Sequence, residues 1–282
     1  MRNRRFIFSL ALAVLLAGCA APGISPQAQA LYDRDRALLE RVQVAVVADG
    51  CVLRHEVGTS FMSRKDSERV GEEVARYAVS ALAADGVRVR GSSVPLVCGA
   101  LSADVLKGFE LREDRDAPAT AMVKYPIPGK SGATGQDIDY AHLFSAVAKA
   151  PIPAALGAKA APTSLDLTPA EAERIQAAAG GRYVIIVLGF GNQTSFGRRF
   201  GAALLTAAVG LAATGGSTGT MLIAVDGMGF DAVLVDLKQR KLLWDSRLNV
   251  PNADPFSKAS VSRQAVQGLF APLFSVADKG RE

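Results

Sequence analysis

The residues closest to a reactive pattern are Gly215-Gly216-Ser217-Thr218-Gly219, which match the G-x-S-x-G spacing of a nucleophile elbow. In that motif a serine sits on a tight strand-to-helix turn, with its acid and histidine partners following in the chain. Here an apolar helix-like run precedes the motif, a strand-like run follows it, and both histidines, His55 and His142, lie upstream. Small residues joining two elements explain the match better, and a serine hydrolase using Ser217 is the weaker alternative. Gly129-Lys130-Ser131 has the ending of a phosphate-binding loop, but Lys124 stands where its first glycine belongs. Gly189-Phe190-Gly191 follows an apolar run, yet Thr194 replaces the third glycine of a dinucleotide loop. Two isolated histidines and one cysteine pair supply no set of three or four metal ligands. His55 beside Glu56 reads as an exposed loop pair. The expectation is a non-catalytic chain with no cofactor and no metal.

The chemistry that does stand out is at Cys19. Arg2, Arg4 and Arg5 precede an apolar stretch from Phe6 to Ala17, closed by Leu16-Ala17-Gly18-Cys19. A charged start, a short apolar core and small residues before the cleavage point mark a secretory signal peptide. The stretch is shorter than the roughly 20 residues a permanent span requires. A cysteine directly after the small residues resembles the bacterial lipobox, whose thiol is alkylated by diacylglycerol before cleavage. Two or three acyl chains on Cys19 would give stable anchoring where one would not. An aspartate after the cysteine retains such proteins in the inner membrane. Ala20 and Ala21 follow here, so the expected placement is the outer membrane, facing the periplasm. Residues 20–30 are small, polar and proline-containing, as suits a tether.

Removing residues 1–18 also removes Arg2, Arg4 and Arg5, leaving 29 basic against 27 acidic residues. No basic stripe with interleaved aromatics is present, so a nucleic-acid partner is not expected. With Cys19 lipidated, Cys51 and Cys98 are the remaining thiols. In an oxidising periplasm they are candidates for one disulfide, with two separate buried thiols as the alternative.

The elements that must position these residues read as α/β (α+β): a mixed β-sheet with packed helices. An N-terminal βαβ unit is followed by a C-terminal β-meander and a helix. Residues 26–41 suggest a helix or ordered arm. Val42 to Ala48 is a β-branched strand stopped by Asp49-Gly50, Asp66 to Ala83 an amphipathic helix, and Val87 to Arg90 a second, parallel strand. Cys51 and Cys98 would then lie just past the two strand ends, which share one edge. Glu110 to Asp116 is a mixed-charge loop or helix end, and Asp137 to Lys149 a helix within a proline- and glycine-rich connection. Thr168-Pro169-Ala170-Glu171 opens a helix with a capping box and a first-turn proline. Strands follow at Tyr183–Leu188, Met221–Val225, Phe230–Leu237 and Leu242–Val250, and Asp254-Pro255 caps a last helix. The mature body divides into a βαβ half (31–109), a loop-rich connection (110–165) and a sheet-completing half (166–282), together forming a single domain.

Between Arg199 and Asp226 there is no charge. The apolar run Phe200 to Ala213 is too short for a comfortable span and suits a buried, partner-facing or interfacial helix. Its small residues permit close packing. Phe200, Leu204, Leu205, Val209 and Leu211 are the candidate partner or membrane contacts.

Residues 181–187 (GRYVIIV), 231–238 (DAVLVDLK) and 241–247 (KLLWDSR) resemble the curli-secretion-type and related envelope lipoproteins, over roughly residues 168–275 plus the lipobox. The resemblance implies a compact α/β domain and a role as an envelope assembly or transport accessory that binds a partner or its own copies. It does not carry over a pore, because residues 200–213 lack the polar–apolar alternation of a barrel strand.

Overall fold

The computed structural model describes residues 26–130, 136–150, 162–194 and 226–274. Its centre is a sheet of nine strands, built from β1 (Gln43–His55), β2 (Ser60–Ser63), β3 (Arg88–Ser93), β5 (Glu110–Arg112), β6 (Ala119–Met122), β8 (Thr163–Ser164), β9 (Tyr183–Thr194), β10 (Gly227–Asp236) and β11 (Lys241–Pro251). The order is β6-β5-β2-β1-β9-β10-β11-β8, and β3 lies beside β2 on the same edge of β1. A separate two-stranded pair joins β4 (Leu96–Val97), which leads into the short helix α3 (Ala103–Leu106), and β7 (Ile127–Pro128). The βαβ unit is present, with β1 and β3 parallel and α2 (Arg64–Ala84) between them. The C-terminal meander is present too: β9, β10 and β11 are successive antiparallel neighbours.

Period-two alternation sorts these strands onto two cores. Val44, Val46, Ile185, Val187, Phe230, Leu234 and Trp244 face one layer, where α2 and α6 (Arg263–Phe274) pack along with α1 (Pro26–Leu39). There Trp244 stacks on Phe270 with ring centres 6.1 Å apart. Ala45, Val47, Val184, Ile186, Val233 and Val235 face the opposite layer, formed by α4 (Asp137–Lys149) and α5 (Pro169–Ala179). A sheet buried on both faces explains why its strands read as unbroken apolar runs. The α5 capping box forms as its sequence implies: Thr168 Oγ1 accepts from the Glu171 amide, and the Glu171 carboxylate accepts from the Thr168 amide.

Three expectations need correction. First, β1 does not stop at Asp49-Gly50 but continues to His55, so Cys51 lies inside the strand. The edge of β1 is open between its β3 pairing, which ends at Val47, and its β2 pairing, which begins at Leu53. α2 closes that gap. Ser67 Oγ accepts from the Val52 amide at 2.9 Å, and a Cβ on Gly50 would meet the Ser67 carbonyl oxygen at 2.0 Å. The glycine is a close-approach position, not a turn. Second, the charged run is loop only from Glu113 to Asp116: Glu110–Arg112 is strand, pairing with β2 and with Ala119–Met122. Third, the last helix begins at Arg263. Asp254 Oδ1 accepts from the Phe256 amide and ties a turn there, and the cap is Ser262, whose Oγ accepts from the Ala265 amide at 3.0 Å. The strand expected at 221–225 lies outside the described residues.

Candidate functional site

Cys51 and Cys98 are joined, closing a span of 47 residues. β1 points Asp49, Cys51 and Leu53 toward the same face, and the turn after β4 brings Cys98 alongside. Cys98 takes a left-handed conformation (φ 53°), and its amide donates to the Gly50 carbonyl at 3.0 Å. Beside it the Ala100 amide donates to Asp49 Oδ2 at 2.9 Å, while Oδ1 has no hydrogen-bond partner among the described residues. Burial raises the Asp49 carboxyl to about 7, against the pull of backbone amides from Ala100, Gly99, Gly50 and Cys98. Tyr125 closes the arrangement, its hydroxyl donating to the Gly99 carbonyl at 3.0 Å. Burial, with the nearby Asp49 second, pushes that phenol up to about 12. Cys51 is 3 % and Cys98 0 % exposed, so the sulfurs are shielded from exchange partners. The cluster fastens the 98–100 turn to β1.

The histidines do not meet. His55 Nδ1 lies 2.9 Å from Ser60 Oγ, its cross-strand neighbour, and its ring is edge-on to Phe109. Glu56 turns away from it toward Arg54 and Arg112. His142 Nδ1 lies 2.6 Å from Glu171 Oε1 on the exposed side of α4. The Glu171 carboxyl is held at about 2, first by the side chain and amide of Thr168 and only then by His142, so helix capping dominates there. Gly189 lies within β9, where a Cβ would meet Val70 Cγ1 at 2.6 Å; it admits α2 rather than a phosphate. Lys130 pairs with Glu72 at 3.1 Å and Glu68 at 3.6 Å. Among the described residues there is no group of three metal-ligating side chains, and no helix is long and apolar enough to cross a membrane.

Cys19, Ser217 and the apolar positions Phe200, Leu204, Leu205, Val209 and Leu211 lie outside the described residues. The points where the chain leaves and returns around residues 195–225 are nevertheless fixed. Asn192 on β9 is the register partner of Gly227 on β10. The Thr194 amide donates to Asp226 Oδ1 at 2.8 Å, and the Asn252 amide to the Asp226 carbonyl at 2.9 Å. The excursion therefore departs and returns at one end of the sheet, the end where β1 also finishes. The opposite end holds the starts of β1, β3 and β9, and there the paired Arg182 and Asp236 share two hydrogen bonds of 2.9 and 2.6 Å.

Sequence reasoning missed Asp49, read only as a strand stop. A lone carboxylate within an apolar run, two residues before a cysteine, was the available signal. It also missed the free edge of β3, since pairing partners are not written locally. No protein-family model, curated protein or solved structure matches this chain.

Proposed function

We propose that this chain is a non-catalytic lipoprotein of the bacterial envelope. Acyl groups on Cys19 hold it to the outer membrane, facing the periplasm, where it serves as an assembly or transport accessory or an oligomeric scaffold. One geometric observation carries the reading: Pro26, the first described residue after the tether, and the points where residues 195–225 leave and rejoin the sheet lie toward the same end of it. Arg36 lies near Asp85, beside the start of β3, whereas Tyr32, one turn earlier in α1, lies near Asp245, farther along the sheet. α1 therefore runs antiparallel to β1, and its first residue, Pro26, points toward the end from which residues 195–225 depart. Seven peptide steps from Cys19 to Pro26 reach at most about 25 Å. The lipid-bearing Cys19 and the segment that carries Phe200, Leu204, Leu205, Val209 and Leu211 thus both join the described body toward one end of the sheet. The resemblance of residues 181–187 and 231–247 to curli-secretion-type lipoproteins supports the accessory role.

The test is radiolabelled palmitate incorporation with membrane fractionation, comparing the unaltered chain with Cys19→Ser. The expected result is label in an outer-membrane form, with both lost in the variant. Label persisting in Cys19→Ser, or an unlabelled mature form free in the periplasm, would overturn the placement. Co-purification after mild detergent extraction then separates a scaffold of copies from an accessory to another protein.

A further inference from the structure

β3 pairs with β1 along one side only; its other edge carries no strand among the described residues. Edges of this kind present unpaired amides and carbonyls to whatever arrives. Two hollows of the described surface border this one strand. One, of about 480 Å³, lies on the α2 side, lined by Ser92, Ser93 and Val94 of the β3 region with Glu72, Arg76 and Val79. The other, of about 500 Å³, lies on the α5 side, between Arg90, Glu173, Gln176, Gly180 and Gly181. A strand laid along β3 would send alternate side chains to opposite faces, and so into these two hollows in turn. Gly91 leaves open space beside the backbone, since a Cβ there would meet nothing within 4 Å.

The charges around the edge are one-sided. Arg76, Arg88 and Arg90 have no carboxylate at ion-pair distance among the described residues. Arg88 donates to the Arg41 carbonyl, Arg76 lies over the Tyr77 ring, and Arg90 rests by Gly180. Glu68 and Glu72 are already answered by Lys130, which leaves Glu173 as the nearby acid without such a partner. The register shift between Val44 and Ala45 leaves Arg90 as the extra, unpaired residue of a bulge. We propose that the outer edge of β3 docks an extended acidic segment of an envelope protein, added to the sheet as a further strand. This assigns a chemistry to the partner of the accessory role proposed above and rests on that role only for where the partner is met. A second copy is a poor occupant, because two β3 edges side by side would bring six arginines together. The chain's own undescribed segments are poor occupants too: their acids are Asp278 and Glu282, adjoined by Lys279 and Arg281.

The experiment uses the full-length lipidated chain in detergent, so that docking is read independently of anchoring. Three labelled peptides of about eight residues are compared by fluorescence anisotropy: alternating Glu and Val, alternating Lys and Val, and the Glu–Val peptide N-methylated on alternate amides. Saturable binding of the Glu–Val peptide is expected. Lys–Val and N-methylated peptides should bind about tenfold or more weaker, the first for lack of charge, the second for lack of strand hydrogen bonds. Arg88→Glu with Arg90→Glu should cause a similar loss without changing the melting curve, since both side chains are exposed. Hydrogen exchange at residues 88–93 should slow on binding. Equal binding of the Lys–Val or N-methylated peptide, an unaffected double variant, or no binding of Glu–Val up to millimolar concentration each overturns the proposal. So does sedimentation showing a dimer that the double variant abolishes, which would give the edge to a second copy.

Discussion

Replacing Asp49 with asparagine separates the energetic cost of a buried acid from its structural use. Asp49 is 2 % exposed, and its carboxyl is raised from 3.8 to about 7, mainly by burial. In the native state it therefore keeps its proton to higher pH than in the unfolded chain. Between about pH 4 and 7 the native state binds more protons, so stability falls as pH rises. Below about pH 4 both states are protonated and the penalty is absent; above about pH 8 it is complete. At roughly 1.4 kcal/mol for each pH unit, the whole loss is about 4 kcal/mol. Roughly 1.4 kcal/mol of it falls between pH 6 and 8.

That upper window is diagnostic. Asp231 is also raised by burial, to about 6, offset by Arg247 and reinforced by Asp245; its contribution has the same sign but is largely spent by pH 6. Asp236 has the opposite sign. Burial would raise it, but the Arg182 hydrogen bonds outweigh burial, so the stability it supplies is present above about pH 4 and lost in stronger acid. Asparagine can keep the acceptor on the Ala100 amide and place its NH₂ where Oδ1 has no partner, at a pH-independent cost of about 1–3 kcal/mol. Urea unfolding with the disulfide intact, at pH 5, 6, 7 and 8, should give curves that converge or cross. Relative to the unaltered protein, Asp49→Asn should gain roughly 2–3 kcal/mol between pH 5 and pH 8 and be the more stable of the two at pH 8. Two curves that stay parallel across that range would refute a buried, proton-holding Asp49.

Reducing the Cys51–Cys98 bond, or replacing both residues with alanine, frees a span of 47 residues and should cost up to about 4 kcal/mol by loop-closure entropy, read as a lower urea midpoint. Native, unreduced protein should present neither thiol to an alkylating reagent. Gly50→Ala should destabilise by about 3 kcal/mol or prevent folding, because its Cβ meets backbone atoms of Ser67 and Gly71 that cannot swing aside; circular dichroism melts decide this. Arg182→Ala leaves the buried Asp236 carboxylate without its guanidinium and should cost about 3–5 kcal/mol, whereas Arg182→Ala with Asp236→Asn should recover part of it. A serine-reactive fluorophosphonate should leave the chain unlabelled, and labelling abolished by Ser217→Ala would restore the hydrolase reading.

What the sequence made legible was whatever depends on neighbours along the chain. Asp137–Lys149 was readable from the prolines and glycines that bound it, and Thr168–Ala179 from its capping box, because both signals lie within a few residues of the helix. The hairpin formed by the strands expected at Phe230–Leu237 and Leu242–Val250 was readable for the same reason, its turn being local. The errors have the opposite character. Asp49-Gly50 has the composition of a turn, and only the passage of α2 over β1 makes it strand. Asp254-Pro255 looks like a helix start, yet Asp254 spends its carboxylate two residues on, at Phe256, and helical winding begins only at Arg263. Glu110–Arg112 reads as a solvated run, and becomes strand because β2 offers it an edge.

The same distinction governs the sites. Cys19 is legible because a processing enzyme reads a linear string, so its specificity is written in consecutive residues. The β3 edge has no such string. RVRGSS is an unremarkable six residues until three separate events meet there: β1 gives it one partner, no described strand supplies a second, and α2 and α5 stop short on either side. Each arginine alone is an ordinary surface charge. Their common lack of a carboxylate becomes informative only beside an unpaired ladder, since an edge kept from self-association by positive charge remains open to a strand of opposite sign. Protection against its own copies and selection of an acidic partner would then be one physical property of Arg76, Arg88 and Arg90. Reversing two of the three charges should exchange the specificity, from the Glu–Val peptide to the Lys–Val peptide, rather than merely weaken it.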